Sequence, residues 1–367
     1  MQIDRLELEG FRNYVCQAAD FDPRCNVVCG ENAQGKTNLL EALVYLSRGR
    51  SPRARTDREM IGFQAESARL RTRAAARERE FWVQADLFRG RRRKLTVNQV
   101  PVKANADLGD VYHTVLFQPE DLYLIREGAA ARRRFLDTAL CQLRPRYAAA
   151  LAGYERAREQ KTRILRDYDQ RPDLLEALPE FNEQMIRLGA ALVQYRHQFC
   201  LRLAEYAALH HRECSGGREE LTLQYQTVSS IEDPGAEIGT LADRLRLHMK
   251  SHREAELSSR LCLSGPHKDD ILVSIGGREA KRYASQGQTR TAALALKLAE
   301  REIYKNAAEE YPVLLLDDVL SELDPRRQEF VLNRIAGGQV FITCCEEDRL
   351  PSLLGGRVFH VEQGNIL

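Results

Sequence analysis

Hydrophobic residues in the first and last thirds of the chain form short apolar runs, which is typical of buried strands. We predict two strands around a turn in residues 1–29, where Ile3, Leu6 and Leu8 precede the turn and Val27-Val28 follows it. Residues 38–46 and 292–304 repeat their apolar positions at helical spacing and are predicted to be helices. The remaining predicted strands are 81–88, 95–97, 221–225, 271–275, 313–316 and 340–343.

In the middle of the chain, from Ala129 to about Glu213, the apolar residues change to helical spacing. A helix is predicted over 147–168 and a second over 181–211, with a break at Arg171-Pro172-Asp173. A helix of thirty residues spans about 45 Å. We therefore expect two antiparallel helices packed on each other, followed by a shorter helical segment over 237–260.

A phosphate-binding loop with the uninterrupted pattern G-x-x-x-x-G-K-[ST] follows Val27-Val28. Backbone N–H groups and the N-terminus of the next helix make such a loop an anion cradle. The lysine can reach the β- and γ-phosphates, and the threonine hydroxyl can ligate Mg²⁺. The cofactors predicted are therefore ATP and Mg²⁺. The predicted nucleotide-binding residues in this loop are Gly30, Glu31, Asn32, Ala33, Gln34, Gly35, Lys36 and Thr37.

A second part of a nucleotide site is predicted where the apolar strand 313–316 ends in two carboxylates, Asp317 and Asp318. Open α/β sheets bind ligands at the carboxyl ends of their strands. We predict that Asp317 holds Mg²⁺ with Thr37, directly or through water. Asp318 is predicted to polarise the attacking water. Lys36, Asp317 and Asp318 are the predicted catalytic residues.

A third segment, Ser285-Gln286-Gly287-Gln288, precedes the predicted helix 292–304. Ser285 and Gly287 suit a helix N-terminus that is offered to a phosphate. Turns of this composition also cap ordinary helices, so the segment is informative mainly through its place in the order of motifs. Together the motifs predict one nucleotide-binding α/β fold with a helical insertion. The predicted boundaries are 1–125 and 281–367 for the nucleotide-binding part and 126–280 for the insertion.

Composition restricts the class of protein but does not identify it. The chain has 367 residues, 43% of them hydrophobic and 29% charged, and it has no apolar run long enough for a membrane span. Its nine cysteines include no C-x-x-C pair, and the start is not a signal peptide. We expect free thiols, a cytoplasmic location and no membrane partner.

Charge is unevenly distributed although the net charge is only +2. Between Arg48 and Lys94 there are 15 basic and 6 acidic residues, and the predicted hairpin turn 89–93 is basic. Basic clusters favour contact with the phosphate backbone of DNA. An arginine-rich surface that is merely solvated explains the same counts, and for the hairpin turn both interpretations stay open.

The order of motifs resembles that of the ATP-binding cassette (ABC) ATPases. A Walker A loop lies at 30–37, a signature-like segment at 285–288, a Walker B strand ends at Asp317, and a D-loop lies at 321–324. The resemblance implies an ABC-type ATPase head in which two copies of the chain sandwich two ATP molecules. Ser285, Gly287 and Gln288 of one copy would then contact the ATP that is bound to Walker A of the other.

Two further segments narrow the resemblance. Residues 8–14, Leu-Glu-Gly-Phe-Arg-Asn-Tyr, look like the opening motif of the chromosome-maintenance and Rad50 relatives. The short helical insertion with residues 263–270 resembles the RecF family of bacterial recombination mediators. That family implies an ATP-dependent homodimer that binds single-stranded DNA and gapped junctions in replication, recombinational repair and SOS induction. It also implies slow ATP hydrolysis, nucleoid association, and cooperation with RecO and RecR to load RecA.

Some positions depart from the general cassette pattern. Asp318 stands where transporters usually carry glutamate, which suggests weak turnover and a switch rather than a motor. The usual switch histidine is absent near 341–345. Gln118 lies near the position where a cassette would have its Q-loop glutamine, but the sequence does not assign it that role. His267–Asp270 could serve DNA binding, a domain contact or only a surface turn.

Two alternative functions belong to other classes of protein. The ATPase subunit of a transporter is one, but 249 residues separate Lys36 from Ser285, far more than in transporter cassettes. A structural DNA tether of the Rad50 type is the other, but helices of about 30 residues are too short for its coiled-coil arm.

Overall fold

The computed structural model describes residues 1–102, 105–335, 337–345 and 356–367. The chain divides into two compact units. Unit 1 contains Met1–Leu122 and Lys297–Leu367, and unit 2 contains Tyr123–Leu296. The predicted boundaries lie at 125/126 and 280/281, so residues 281–296 group with the helical unit and not with the C-terminal part of the nucleotide-binding fold.

Unit 1 is built around a largely parallel sheet with the strand order β15-β14-β3-β13-β12-β8. The strands β3, β8, β12 and β13 are buried over nearly their whole length, as expected for a parallel sheet. The elements are β3 (Cys25–Cys29), β8 (Thr114–Phe117), β12 (Val313–Leu316), β13 (Val340–Cys344), β14 (Arg357–Glu362), β15 (Asn365–Ile366), α1 (Lys36–Arg48) and α9 (Pro325–Arg334).

A second, antiparallel sheet of unit 1 has the order β2-β1-β4-β5-β6-β7. One buried hydrophobic cluster joins residues of both sheets with Leu39, Leu43 and Leu46 of α1. Helix α1, which follows the phosphate-binding loop, is therefore fixed by packing. The strands are β1 (Gln2–Phe11), β2 (Tyr14–Asp20), β4 (Ser67–Ala76), β5 (Arg79–Phe88), β6 (Lys94–Val97) and β7 (Val100–Pro101).

Unit 2 is mainly helical and carries a three-stranded sheet of order β11-β10-β9. Its two long helices are antiparallel, because Tyr147 meets Tyr195 while Gly153 lies against Leu188. Helix α8 starts in this unit and continues into unit 1. The elements are α2 (Ala129–Leu143), α3 (Pro145–Asp167), α4 (Leu178–Ser215), β9 (Leu221–Gln226), α5 (Ile238–Ser251), α6 (Arg253–Ser259), β10 (Asp270–Ile275), β11 (Arg278–Glu279), α7 (Ala280–Tyr283) and α8 (Gln286–Ala308).

The predicted α/β class is confirmed, and so is the antiparallel helical pair. The prediction of two strands in residues 1–29 was wrong, because a turn at 12–13 separates β1 from β2 and β3 is a third strand. The strands β4, β8 and β14 were not predicted. In β4 the inward positions are Ala68, Leu70, Thr72, Ala74 and Ala76, and because all but Leu70 are only weakly hydrophobic, the alternation of a strand is faint in the sequence.

Candidate functional site

The phosphate-binding loop lies between the buried strand β3 and helix α1, as its sequence predicts. Two of its glycines have backbone conformations that residues with a side chain rarely adopt, with φ of 153° at Gly30 and 126° at Gly35. A Cβ atom on Gly35 would lie 2.8 Å from the side-chain nitrogen of Asn13, and one on Gly30 would clash with the carbonyl oxygen of Val361. Neighbouring segments therefore pack directly against the loop and leave no room for a side chain at either glycine.

Lys36 is almost completely buried, with 4% of its surface exposed. Its Nζ atom donates hydrogen bonds to the carbonyl oxygens of Gly30 and Glu31, at 2.7 and 3.1 Å. Both carbonyl groups carry no net charge, and among the residues that the structure describes no carboxylate forms an ion pair with this ammonium. Such a charge suits a site for a phosphate anion.

Thr37 and Asp317 lie 280 residues apart in sequence and are in direct contact. The Thr37 hydroxyl donates to Asp317 Oδ1 at 2.9 Å, and the Thr343 hydroxyl donates to the same oxygen at 3.0 Å. The Gln118 amide nitrogen lies 3.4 Å from Asp317 Oδ2. Burial raises the pKa of Asp317, and the hydrogen bonds from Thr37 and Thr343 offset part of the rise. The two predicted metal ligands thus meet at the end of β12.

The hydroxyl and carboxylate oxygens of Thr37 and Asp317 are ligands of the kind that Mg²⁺ prefers. Within the described residues, no group of three or more His, Cys, Asp or Glu side chains could hold a metal ion. A site with one carboxylate and one hydroxyl fits Mg²⁺, which commonly takes its other ligands from water and from substrate phosphates.

Asp318 is in the left-handed region, with φ of 51°, which is uncommon for a residue other than glycine. Its N–H donates to the Thr343 hydroxyl at 2.7 Å, and its carbonyl accepts from the Ser321 hydroxyl at 2.6 Å. Such conformations cost about 1–3 kcal/mol and persist where the surroundings fix them. The backbone therefore holds Asp318 beside Asp317 at the end of the strand.

The segment after β1 contacts the phosphate-binding loop, and no sequence motif predicted this contact. The Asn13 amide donates to the carbonyl oxygen of Gln34 at 2.7 Å, and the Tyr14 hydroxyl donates to that of Gly35 at 3.0 Å. Both carbonyls belong to the loop itself. Asn13 and Tyr14 of the opening motif 8–14 thus hold the loop in place through its backbone.

Two other parts of the site were also not predicted. Arg12 forms a bidentate pair with Glu41 of α1, at 2.8 and 2.7 Å, and the Glu41 side chain is fully buried. Thr343 anchors both Asp317 and Asp318. A single threonine at the end of the apolar run Val340–Cys344 was the available signal.

The signature-like segment forms the first turn of α8. The Ser285 N–H donates to Gln288 Oε1 at 2.7 Å, and the Gln288 N–H donates to the Ser285 hydroxyl at 3.2 Å, which together make a capping box. Gln288 Nε2 donates to Glu219 Oε1 at 2.8 Å. The second carboxylate oxygen of Glu219 lies 3.3 Å from the buried His211 ring. Ser285 is exposed at the start of the helix, whereas Gln288 is engaged within unit 2.

Comparison with known proteins places the chain in a family. The family profile described as "RecF/RecN/SMC N terminal domain" matches residues 2–362. "DNA replication and repair protein RecF" of Agathobacter rectalis is 38% identical over 370 residues, which covers 100% of this chain and 99% of that protein. This chain belongs to the RecF family.

Other RecF-family proteins are similar over the same length. RecF of Bacillus subtilis is 36% identical over 371 residues and covers all of both chains. A solved structure described as "the recombination mediator protein RecF-ATP in RecFOR pathway" matches with a TM-score of 0.91 and 30% identity. That match covers 100% of this chain and 97% of the solved chain. The predicted ABC-type ATPase head is therefore confirmed.

The RecF-like segment His267–Asp270 is part of a buried polar network in unit 2. Asp269, 1% exposed, accepts from Arg196 Nη1 at 2.9 Å and from the Tyr225 hydroxyl. The His267 ring bonds the Tyr154 hydroxyl at 2.7 Å. Burial lowers the pKa of His267 to about 4. His267 and Asp269 therefore connect helices and strands inside this unit, and neither is a freely exposed group.

The basic region of this RecF-family chain separates into two kinds of arginine. On β4 the arginines pair with carboxylates of the neighbouring strands, so this face is nearly neutral. The pairs are Arg69–Asp86 at 2.8 Å, Arg71–Glu7 at 3.7 Å and Arg73–Asp4 at 3.4 Å. Among the residues that the structure describes, no carboxylate lies within ion-pair distance of the exposed Arg50, Arg58, Arg91 or Arg92. The unneutralised charge is therefore concentrated at 50–58 and at the hairpin turn.

The nine cysteines are unbridged, as expected. The sulfur atoms of Cys29 and Cys344 lie 3.1 Å apart on neighbouring strands. In the described part of the chain, no helix combines the length and the apolar character that crossing a membrane requires.

Proposed function

We propose that this RecF-family chain is an ATP-driven dimeric switch that acts on DNA in replication, recombinational repair and SOS induction. The observation that supports it most directly is the 2.9 Å contact between Thr37 and Asp317. It joins the Walker A and Walker B segments into one site that fits a nucleotide with Mg²⁺.

Within that site each predicted residue has a distinct role. The N–H groups of loop 30–37 and the Lys36 ammonium neutralise the triphosphate. Thr37 and Asp317 hold Mg²⁺, which when bound would offset negative charge on the β- and γ-phosphates. Asp318 orients the attacking water. Thr343 and Gln118 fix the Asp317 carboxylate through hydrogen bonds.

The other half of the site comes from a second copy of the chain. The exposed Ser285 hydroxyl and the backbone at Gly287 cap the γ-phosphate across the dimer, at the N-terminus of α8. Gln288 contributes mainly by shaping this turn, since both ends of its amide are engaged within its own chain. ATP then links two copies, and its hydrolysis releases them.

The dimer binds single-stranded DNA and gapped junctions through the unpaired arginines of unit 1 and helps RecO and RecR load RecA. Relatives named as DNA replication and repair proteins, and a similar structure described as part of the RecFOR pathway, support this role. We place the protein in the cytoplasm at the nucleoid. Hydrolysis is slow and stimulated by DNA, consistent with an aspartate at 318.

Light scattering with ATP and gapped DNA tests the proposal, because the ATP-bound protein should have twice the monomer mass. Lys36→Met is expected to abolish ATP-driven dimerisation while the monomer stays folded. Lys305→Met is the matched control, since it also removes one lysine charge from unit 1 but leaves the loop intact. Dimerisation of Lys36→Met with ATP would contradict the role of Lys36.

A further inference from the structure

A cavity of about 560 Å³ opens in unit 1 beside the hairpin turn between β5 and β6. This volume lies within the roughly 300–1,000 Å³ that is usual for small-ligand sites. None of its lining residues belongs to the Walker motifs, and it combines apolar side chains with arginines. Its lining includes Phe88, Leu95, Arg58, Arg91 and Arg92.

One wall of the cavity is held rigidly by Arg93. Its Nη1 atom donates to the Tyr45 hydroxyl at 2.8 Å and to the Gly49 carbonyl at 2.7 Å, and Nη2 donates to Asn105 Oδ1 at 2.5 Å. Asp57 also pairs with Arg93, at 3.2 Å. Asp57 is therefore already neutralised and leaves little negative charge to repel an anion.

The other three arginines, Arg58, Arg91 and Arg92, are exposed. Among the described residues none of the three has a carboxylate within ion-pair distance, in contrast to the paired arginines of β4. Guanidinium groups bind phosphate oxygens with charge-assisted hydrogen bonds. Three guanidinium groups without such carboxylate partners line one cavity, and their charge favours an anion there.

The ring of Phe88 gives the cavity a second recognition element. The guanidinium of Arg91 lies 3.7 Å from the centre of this ring, so a base that stacks on this face would displace Arg91 and release it to bind a phosphate. A nucleobase is a planar group of the kind that stacks on aromatic side chains in single-strand binding proteins. Leu95 adds an apolar surface beside the ring.

We propose that this cavity binds one unpaired nucleotide of single-stranded DNA, with its base on Phe88 and its flanking phosphates on Arg58, Arg91 and Arg92. The inference rests on the proposed function, because it presumes that DNA is the partner. A base inside a duplex is stacked between its neighbours and cannot reach the ring. The cavity would therefore recognise the single-stranded part of a gap.

Fluorescence anisotropy with a labelled oligothymidylate and a labelled duplex, both with ATP, tests the proposal. Phe88→Leu is expected to weaken single-strand binding about tenfold, because stacking is lost, and to leave duplex binding within about twofold. Phe88→Tyr should restore single-strand binding. Arg92→Ala should weaken single-strand binding. It should also make the negative slope of log affinity against log salt concentration shallower by about 0.7.

The matched control is Arg79→Ala, at the opposite end of β5 and about 30 Å from Phe88. It removes the same charge from the same sheet but not from the cavity. Equal single-strand binding by Phe88→Leu and the unchanged protein would overturn the proposal, as would an equal loss in Arg79→Ala and Arg92→Ala. If neither DNA binds the unchanged protein with ATP, the proposed function fails instead.

Discussion

Asp317 in unit 1 and Asp269 in unit 2 are buried almost equally, at 4% and 1% exposure, but their partners differ. Asp317 accepts hydrogen bonds from neutral hydroxyl groups, those of Thr37 and Thr343. Asp269 is paired with the Arg196 guanidinium, which also binds Asp137 at 2.8 Å. Burial alone therefore does not distinguish a candidate site from a structural network.

The charge of the partner groups distinguishes the candidate site from the structural network. In unit 2 the positive charge of Arg196 is paired with the carboxylates of Asp137 and Asp269 of the same unit. In unit 1 the charges of Lys36 and Asp317 face carbonyl, hydroxyl and amide groups that a triphosphate and a metal ion can replace. This contrast predicts that mutations in the two regions will damage different properties.

The largest effect is expected from Arg196→Met, which leaves the buried Asp269 without its positive partner. Breaking a buried ion pair from one side costs about 3–5 kcal/mol. Lys36→Met removes no ion pair among the described residues and is expected to cost about 1 kcal/mol, for the lost hydrogen bonds to carbonyl groups. Urea denaturation of both variants measures the difference, and equal losses of unfolding free energy would remove the contrast.

Acid should weaken unit 2 through His267, whose pKa burial lowers from 6.5 to about 4. Because the folded state binds this proton less readily than the unfolded state, stability is lost as the pH falls from 6.5 towards 4. The total is about 3 kcal/mol. We expect His267→Asn to show a shallower loss of unfolding free energy over this range. An unchanged slope would mean that other groups control the acid response.

At the proposed nucleotide site, Asp318→Asn is expected to reduce ATP hydrolysis about 100-fold, because it would remove the group that we propose to orient the attacking water. The variant should stay an ATP-bound dimer on DNA. Phosphate release measures the rate, and light scattering measures the dimer. Hydrolysis at the unchanged rate would exclude Asp318 from this role.

Glu219 shares features of the structural network and of the candidate site. It is a carboxylate of unit 2, and it accepts a hydrogen bond from Gln288 of the signature-like segment. Glu219→Ala is expected to weaken ATP-driven dimerisation about fivefold, the equivalent of one lost hydrogen bond. Glu219→Gln keeps an acceptor for Gln288 and should retain most of the affinity. Equal affinity in the alanine variant would show that Glu219 does not position the signature turn.

The sequence predicted the parts of the site that are contiguous. The loop 30–37 and the pair Asp317-Asp318 are each recognised from a few consecutive residues. The adjoining segments also predict the strand before the loop, the helix after it, and the strand before the two carboxylates. Thr343 reaches Asp317 because β13 lies beside β12 in the register Leu316↔Ile342, and Asn13 reaches the loop from the turn between β1 and β2. A single sequence does not reveal that register.

The two partner strands of β3 have a consequence for how the protein is made. Strand β3 pairs with β13 and β14, and the Gly364 N–H donates to the Gln34 carbonyl of the loop. More than 300 residues separate Cys29 from Val340. At a synthesis rate of about 5–20 residues per second, the ribosome needs roughly 15–60 s after β3 to reach the partner strand β13. The continuous segment Tyr123–Leu296 can fold during that time, so we expect the phosphate-binding loop to be among the last parts of a new chain to take its shape.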